Sequence, residues 1–64
     1  MTDQDFRHIL PDISAAVADS AGGPRNAYFL CEDMARERNL TASQQKDLLD
    51  EVERLTGWHM RGLA

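Results

Sequence analysis

Residues 39–44 read Asn39-Leu40-Thr41-Ala42-Ser43-Gln44, and this stretch marks the boundary between two helices. Asn39 tolerates the left-handed conformation that ends a helix, and Leu40 can then fold back onto the preceding turn. Thr41 and Gln44 have the spacing of a capping box, in which each side chain accepts a hydrogen bond from the other residue's backbone amide. The stretch therefore predicts one helix that ends at residue 38 and another that begins at residue 42.

Apolar residues recur at steps of three and four on both sides of this boundary and again near the start of the chain, which is the spacing of a buried helical face. The three stripes are Phe6, Ile9, Leu10, Ile13 and Val17; Ala27, Leu30, Cys31, Met34 and Ala35; and Leu48, Leu49, Val52 and Leu55. Gly22-Gly23-Pro24 separates the first two, because glycine favours a helix end and proline the next helix's first turn. The sequence predicts a single all-α domain over residues 1–64, a small three-helix bundle with helices over about 3–21, 25–38 and 42–56.

Pro11 lies inside the first apolar stripe. A proline within a helix removes one hydrogen bond and crowds the carbonyl four residues earlier, here that of Arg7. We therefore expect the first helix to be kinked or broken at Pro11. Because the stripe continues beyond it, both halves are expected to pack on the same core.

The composition limits the classes of function that are open to the chain. It has 64 residues, a net charge of −4 and one cysteine. An acidic chain has no general attraction to phosphate backbones, and one cysteine with two histidines matches no zinc signature. No apolar run approaches the roughly 20 residues of a membrane span, and the acidic N-terminus is unlike a signal peptide. We expect no cofactor, no metal, no membrane partner and a cytoplasmic location.

Enzymatic chemistry is not expected either. Cys31 is the one candidate thiol nucleophile, but it lies on the apolar stripe of the second helix, where cysteine usually acts as a small hydrophobe. No spacing links His8 or His59 to Cys31 as a base. The acidic cluster of the third helix (Asp47, Asp50, Glu51 and Glu53) is typical of a solvated face.

Residues 33–49 resemble a helix-turn-helix motif. Ala35 takes the small-residue position between the two helices, Asn39 takes the turn position usually held by glycine, and Thr41 caps the second helix. The resemblance implies a helix-turn-helix-like arrangement of the second and third helices. It also implies a possible DNA-contacting set, which consists of Arg36, Arg38, Ser43, Gln44 and Lys46.

Aromatic and apolar residues exceed what three short stripes need for one core. The surplus consists of Tyr28, Phe29, Trp58, Met60 and Leu63. Trp, Tyr and Met are enriched at the centres of protein interfaces, although such residues can equally complete a core. The leading hypothesis is a non-enzymatic regulatory or adaptor protein that binds another protein or a second copy of itself. Its predicted contact residues are Tyr28, Phe29, Trp58 and Met60, beside the acidic faces of the first and third helices. The alternative is a helix-turn-helix DNA-binding transcriptional regulator.

Overall fold

Three α-helices and the turns between them make up the computed structural model, which describes residues 1–60. They are α1 (Asp3–Ala21), α2 (Pro24–Glu37) and α3 (Ala42–Thr56), and the described residues include no strand. Each helix packs against both of the others. The predicted all-α three-helix bundle is thereby confirmed, with α2 beginning and ending one residue earlier than predicted. Leu63 lies outside the described residues.

The first helix runs through Pro11 without interruption. Of the kink and the break expected at Pro11, the break is not located there. The chain breaks at the predicted boundary between α1 and α2, where Gly22 has a left-handed φ of 75°. Phe6 and Val17, on opposite sides of Pro11, are buried in the same core cluster. We attribute the continuity to this shared packing, which offsets the missing backbone hydrogen bond.

The turn between α2 and α3 has the predicted chemistry. Asn39 adopts a φ of 55°, and the Leu40 amide donates to the Ala35 carbonyl at 2.9 Å. The Gln44 amide donates to Thr41 Oγ1 at 3.1 Å, while the Thr41 amide donates to Gln44 Oε1 at 3.0 Å. The capping box is thus complete, and α3 begins at Ala42 as predicted.

One core lies between the three helices. Its buried members are Phe6, Ile13, Val17, Ala21, Ala27, Cys31, Leu48, Val52 and Met60. Leu55 was predicted to belong to it, but the Leu55 side chain is 45% exposed. It lies in the last turn of α3, beyond the buried Val52. Among residues 1–60, none of the helices is long and apolar enough to cross a membrane.

Candidate functional site

The outer side of α2 carries a large aromatic side chain. Phe29 is 54% exposed, whereas Ala27 and Cys31, two residues before and after it, are completely buried. A helix turns by about 100° per residue, so two residues place a side chain about 160° away. Phe29 therefore projects from the side of α2 opposite the buried stripe.

Tyr28 connects Phe29 to the body of the protein. It is partly buried and packs against the core, and its ring meets the ring of Phe29 edge-on. The ring centroids are 6.1 Å apart, with an interplanar angle of 78°, which is a favourable T-shaped geometry. This contact restricts where the exposed Phe29 ring can lie.

Charged side chains flank Phe29 one turn away on each side. Arg25 and Asp33 are both exposed, four residues before and four residues after it. Asp33 accepts a hydrogen bond from the Arg36 guanidinium, in an ion pair whose side chains are 53% and 76% exposed. We call Arg25, Phe29, Asp33 and Arg36 the α2 outward face. Residues at this spacing are neighbours along one side of a helix.

The other two predicted contact residues differ in burial. Gly57 ends α3 in a left-handed conformation, with a φ of 80°. The Met60 amide then donates to Glu53 Oε2 at 2.6 Å, and the Met60 side chain is completely buried. Its prediction as a surface contact residue was therefore wrong, because the segment after Gly57 packs back onto the core. Trp58 is partly exposed and packs against the same core.

Gln44 has a different role from the base-reading one that was predicted. Its side chain is only 2% exposed, and its amide nitrogen donates to the Met1 carbonyl and to the Asp3 carboxylate, both at 2.8 Å. Its side-chain oxygen is engaged in the capping box. A side chain that is buried and bonded at both ends cannot read a base edge, so Gln44 is removed from the alternative DNA-contacting set.

The other members of that set are exposed, but acidic groups lie close to them. Arg36 is paired with Asp33, whereas Arg38, Ser43 and Lys46 have exposed side chains. A groove of about 330 Å³ between α1 and α3 borders the first turn of α3. Its lining residues are Asp3, Phe6, Arg7, Leu10, Ser43 and Asp47. Two carboxylates against one guanidinium give this groove a negative balance, which opposes the approach of a phosphate backbone.

Cys31 is buried as predicted from its place on the apolar stripe. Burial raises the pKa of the Cys31 thiol to about 11 because the thiolate would lose its hydration. The thiol therefore stays protonated at neutral pH and lacks the thiolate that nucleophilic attack requires. Within residues 1–60, no group of three His, Cys, Asp or Glu side chains could hold a metal ion.

No protein-family model matches the chain, and neither a curated protein nor a solved structure is significantly similar to it. The class that the fold defines is the small three-helix bundle. Any assignment of function therefore rests on the surfaces just described.

Sequence reasoning did not single out Arg25 or Asp33 as contact residues. Their spacing of four residues from Phe29 can be read from the sequence. The spacing identifies Arg25 and Asp33 as contact residues only once Phe29 is known to face away from the core. The tertiary role of Gln44 was also missed, because the capping box explained that residue without any reference to α1.

Proposed function

We propose that this protein is a small, cytoplasmic, non-enzymatic regulatory or adaptor protein that acts by binding another protein chain through the α2 outward face. The observation that carries the proposal is the 54% exposure of Phe29 on the side of α2 opposite its buried stripe. Transfer of a phenylalanine side chain out of water contributes roughly 1.5–3 kcal/mol. A partner that covers Phe29 would gain a part of this free energy.

The surroundings of Phe29 support binding rather than incidental exposure. Single exposed apolar residues are common on protein surfaces and by themselves indicate little. Phe29 differs from such isolated residues in two ways. The ring of Tyr28 contacts it edge-on, and opposite charges flank it one turn away on each side. An aromatic centre with a polar rim is the usual anatomy of a protein–protein interface. A ring that is already positioned also loses less conformational freedom on binding.

Two further features fit this proposal. The only cysteine, Cys31, is buried and held protonated, which is not the microenvironment of a catalytic thiol. A chain with one unpaired thiol also suits the reducing conditions of the cytoplasm. The alternative of DNA binding lost one of its five residues when Gln44 proved to be buried.

Photo-cross-linking in the cells that naturally make the protein tests the proposal. A photoreactive phenylalanine analogue would be placed at position 29 and, as a matched control, at Ala16, an exposed residue of α1. We expect covalent adducts with a defined protein chain from position 29 only. Adducts of equal yield from both positions, or none from position 29, would contradict a binding role for the α2 outward face.

A further inference from the structure

The α2 outward face has a symmetric arrangement of opposite charges. Arg25 lies four residues before Phe29, and Asp33 lies four residues after it. All three side chains are exposed. Residues at a spacing of four form one ridge on a helix surface, and such ridges pack side by side in the commonest class of helix packing. The ridge therefore carries a positive end, an aromatic centre and a negative end.

We propose that the chain that binds this face is a second copy of the same protein, docked antiparallel along α2 about a two-fold axis at Phe29. The inference rests on the function proposed above, because it uses the same surface. In an antiparallel pair centred on residue 29, Arg25 of one protomer faces the partner's Asp33. The two-fold axis repeats this contact, so the interface has two ion pairs around a pair of phenylalanine rings.

Arg36 adds a third charge at each end of the interface, because it already pairs with Asp33 within its own chain. The existing pair between Arg36 and Asp33 extends to the partner's Arg25, which makes a three-member charge network at each end.

The charges also select the direction of pairing. In a parallel two-fold pair, Arg25 would lie beside the partner's Arg25, and Asp33 beside the partner's Asp33. Like charges at such short distances oppose association, whereas the antiparallel arrangement places each Arg25 against the partner's Asp33. The sequence of the ridge is therefore self-complementary in one orientation only.

The size of the face sets the expected strength. A helix of 14 residues such as α2 is about 21 Å long. Its outer side covers a few hundred Å² per protomer, below the roughly 800 Å² per partner of a standard interface. We therefore expect a reversible dimer with a dissociation constant in the micromolar range, weakened by salt because the ion pairs lie at the rim.

A charge-reversal experiment tests the orientation and the register together. Arg25→Asp places a carboxylate against the partner's Asp33, and Asp33→Arg places a guanidinium against the partner's Arg25. Sedimentation velocity should show that each variant alone self-associates at least about tenfold more weakly than the unmodified protein. An equimolar mixture of the two variants should recover the unmodified affinity to within about threefold, because every pair across a mixed dimer is again opposite in charge.

Matched controls separate this effect from net charge and from loss of the fold. Arg7→Asp, at an exposed position of α1, changes the net charge by the same amount as Arg25→Asp and should leave self-association unchanged. Phe29→Ala should weaken it about 30-fold, as expected of a central aromatic anchor. Leu55 is the other large apolar side chain of the three helices that is strongly exposed, and Leu55→Ala should leave self-association unchanged. Circular dichroism of every variant establishes that the helices are retained.

Several results would overturn the inference. The unmodified protein could remain a monomer at several hundred micromolar, or each charge-reversal variant could dimerise as tightly as the unmodified protein. The equimolar mixture of the two variants could also fail to recover the unmodified affinity. The cross-linking experiment distinguishes this failure from failure of the proposed function. Adducts from position 29 that contain only a different protein would retain the binding role and exclude the symmetric dimer. Absence of any adduct would contradict both.

Discussion

The side-chain amide of Gln44 donates a hydrogen bond to the Asp3 carboxylate at 2.8 Å, which joins the first turn of α3 to the first turn of α1. The same nitrogen donates to the Met1 carbonyl, and the Met1 ammonium group donates to the Asn39 carbonyl at 2.9 Å. The first residues of the chain are thereby anchored on the turn between α2 and α3. A capping residue thus also has a tertiary role.

Gln44→Ala should therefore destabilise the fold. It leaves the Met1 carbonyl and the Asp3 carboxylate without this donor and removes half of the capping box. Loss of a partly buried hydrogen-bonded group costs about 1–3 kcal/mol in the free energy of unfolding. Urea denaturation followed by circular dichroism measures the change. Ser43→Ala, at the exposed neighbouring position, should change it by less than about 0.5 kcal/mol, and equal effects of the two substitutions would contradict the role given to Gln44.

Two leucines of α3 should respond very differently to truncation. Leu48 is completely buried and Leu55 is 45% exposed. Leu48→Ala should lower the free energy of unfolding by about 2–4 kcal/mol through lost burial and a residual cavity, enough to unfold a domain this small. Leu55→Ala should cost less than about 1 kcal/mol. Thermal denaturation of both variants checks this, and similar losses would place Leu55 in the core.

Cys31 should react slowly with thiol reagents in the native protein and quickly in denaturant. The side chain is completely buried, and its thiol stays protonated at neutral pH because burial raises its pKa to about 11. Stopped-flow labelling with a disulfide reagent measures both rates. Native labelling as fast as that of the denatured chain would show that the thiol is accessible.

The raised pKa of Cys31 also predicts a pH dependence of stability. Its ordinary value is 9.0, and the value in the fold is about 11. Above pH 9 the thiol of the unfolded chain loses its proton while that of the folded chain keeps it, so the contribution of Cys31 to stability declines as the pH rises from 9 to 11. Urea denaturation across this range should show a steeper decline for the unmodified protein than for Cys31→Ala. Parallel curves would contradict the assignment.

DNA binding should be absent at physiological salt. Gln44 is buried, and the carboxylates of Asp3 and Asp47 border the first turn of α3. Fluorescence anisotropy with a random duplex should therefore show no association at micromolar protein. Binding that falls steeply with salt and disappears in Lys46→Glu would instead favour the helix-turn-helix alternative.

Local chemistry made the helices predictable. The capping box of Thr41 and Gln44, the left-handed Asn39 and the pair Gly22-Gly23 act over three or four residues, so their effect does not depend on the rest of the fold. Pro11 shows the limit of local chemistry, because a local rule cannot decide between a kinked and a broken helix. Its cost is local, but the packing of Phe6 and Val17 on one core is not.

The contact surface was only partly predictable. A stripe of apolar residues indicates which side of a helix is buried, but it does not indicate how far along the helix the core extends. Leu55 continues the stripe of α3 and is nevertheless 45% exposed, whereas Met60 follows the last helix and is completely buried. These differences depend on where the chain turns after Gly57 and on what the neighbouring helices cover.

The sequence by itself determined three helices, their ends to within one residue and the burial of Cys31, because backbone hydrogen bonding and apolar periodicity are short-range. Only the tertiary structure decided that Gln44 holds Asp3, that Met60 lies inside and that Phe29 faces outward between Arg25 and Asp33. The physical reason is that burial and hydrogen bonding between helices depend on which surfaces meet. Those surfaces are formed by residues that are distant from one another in the chain.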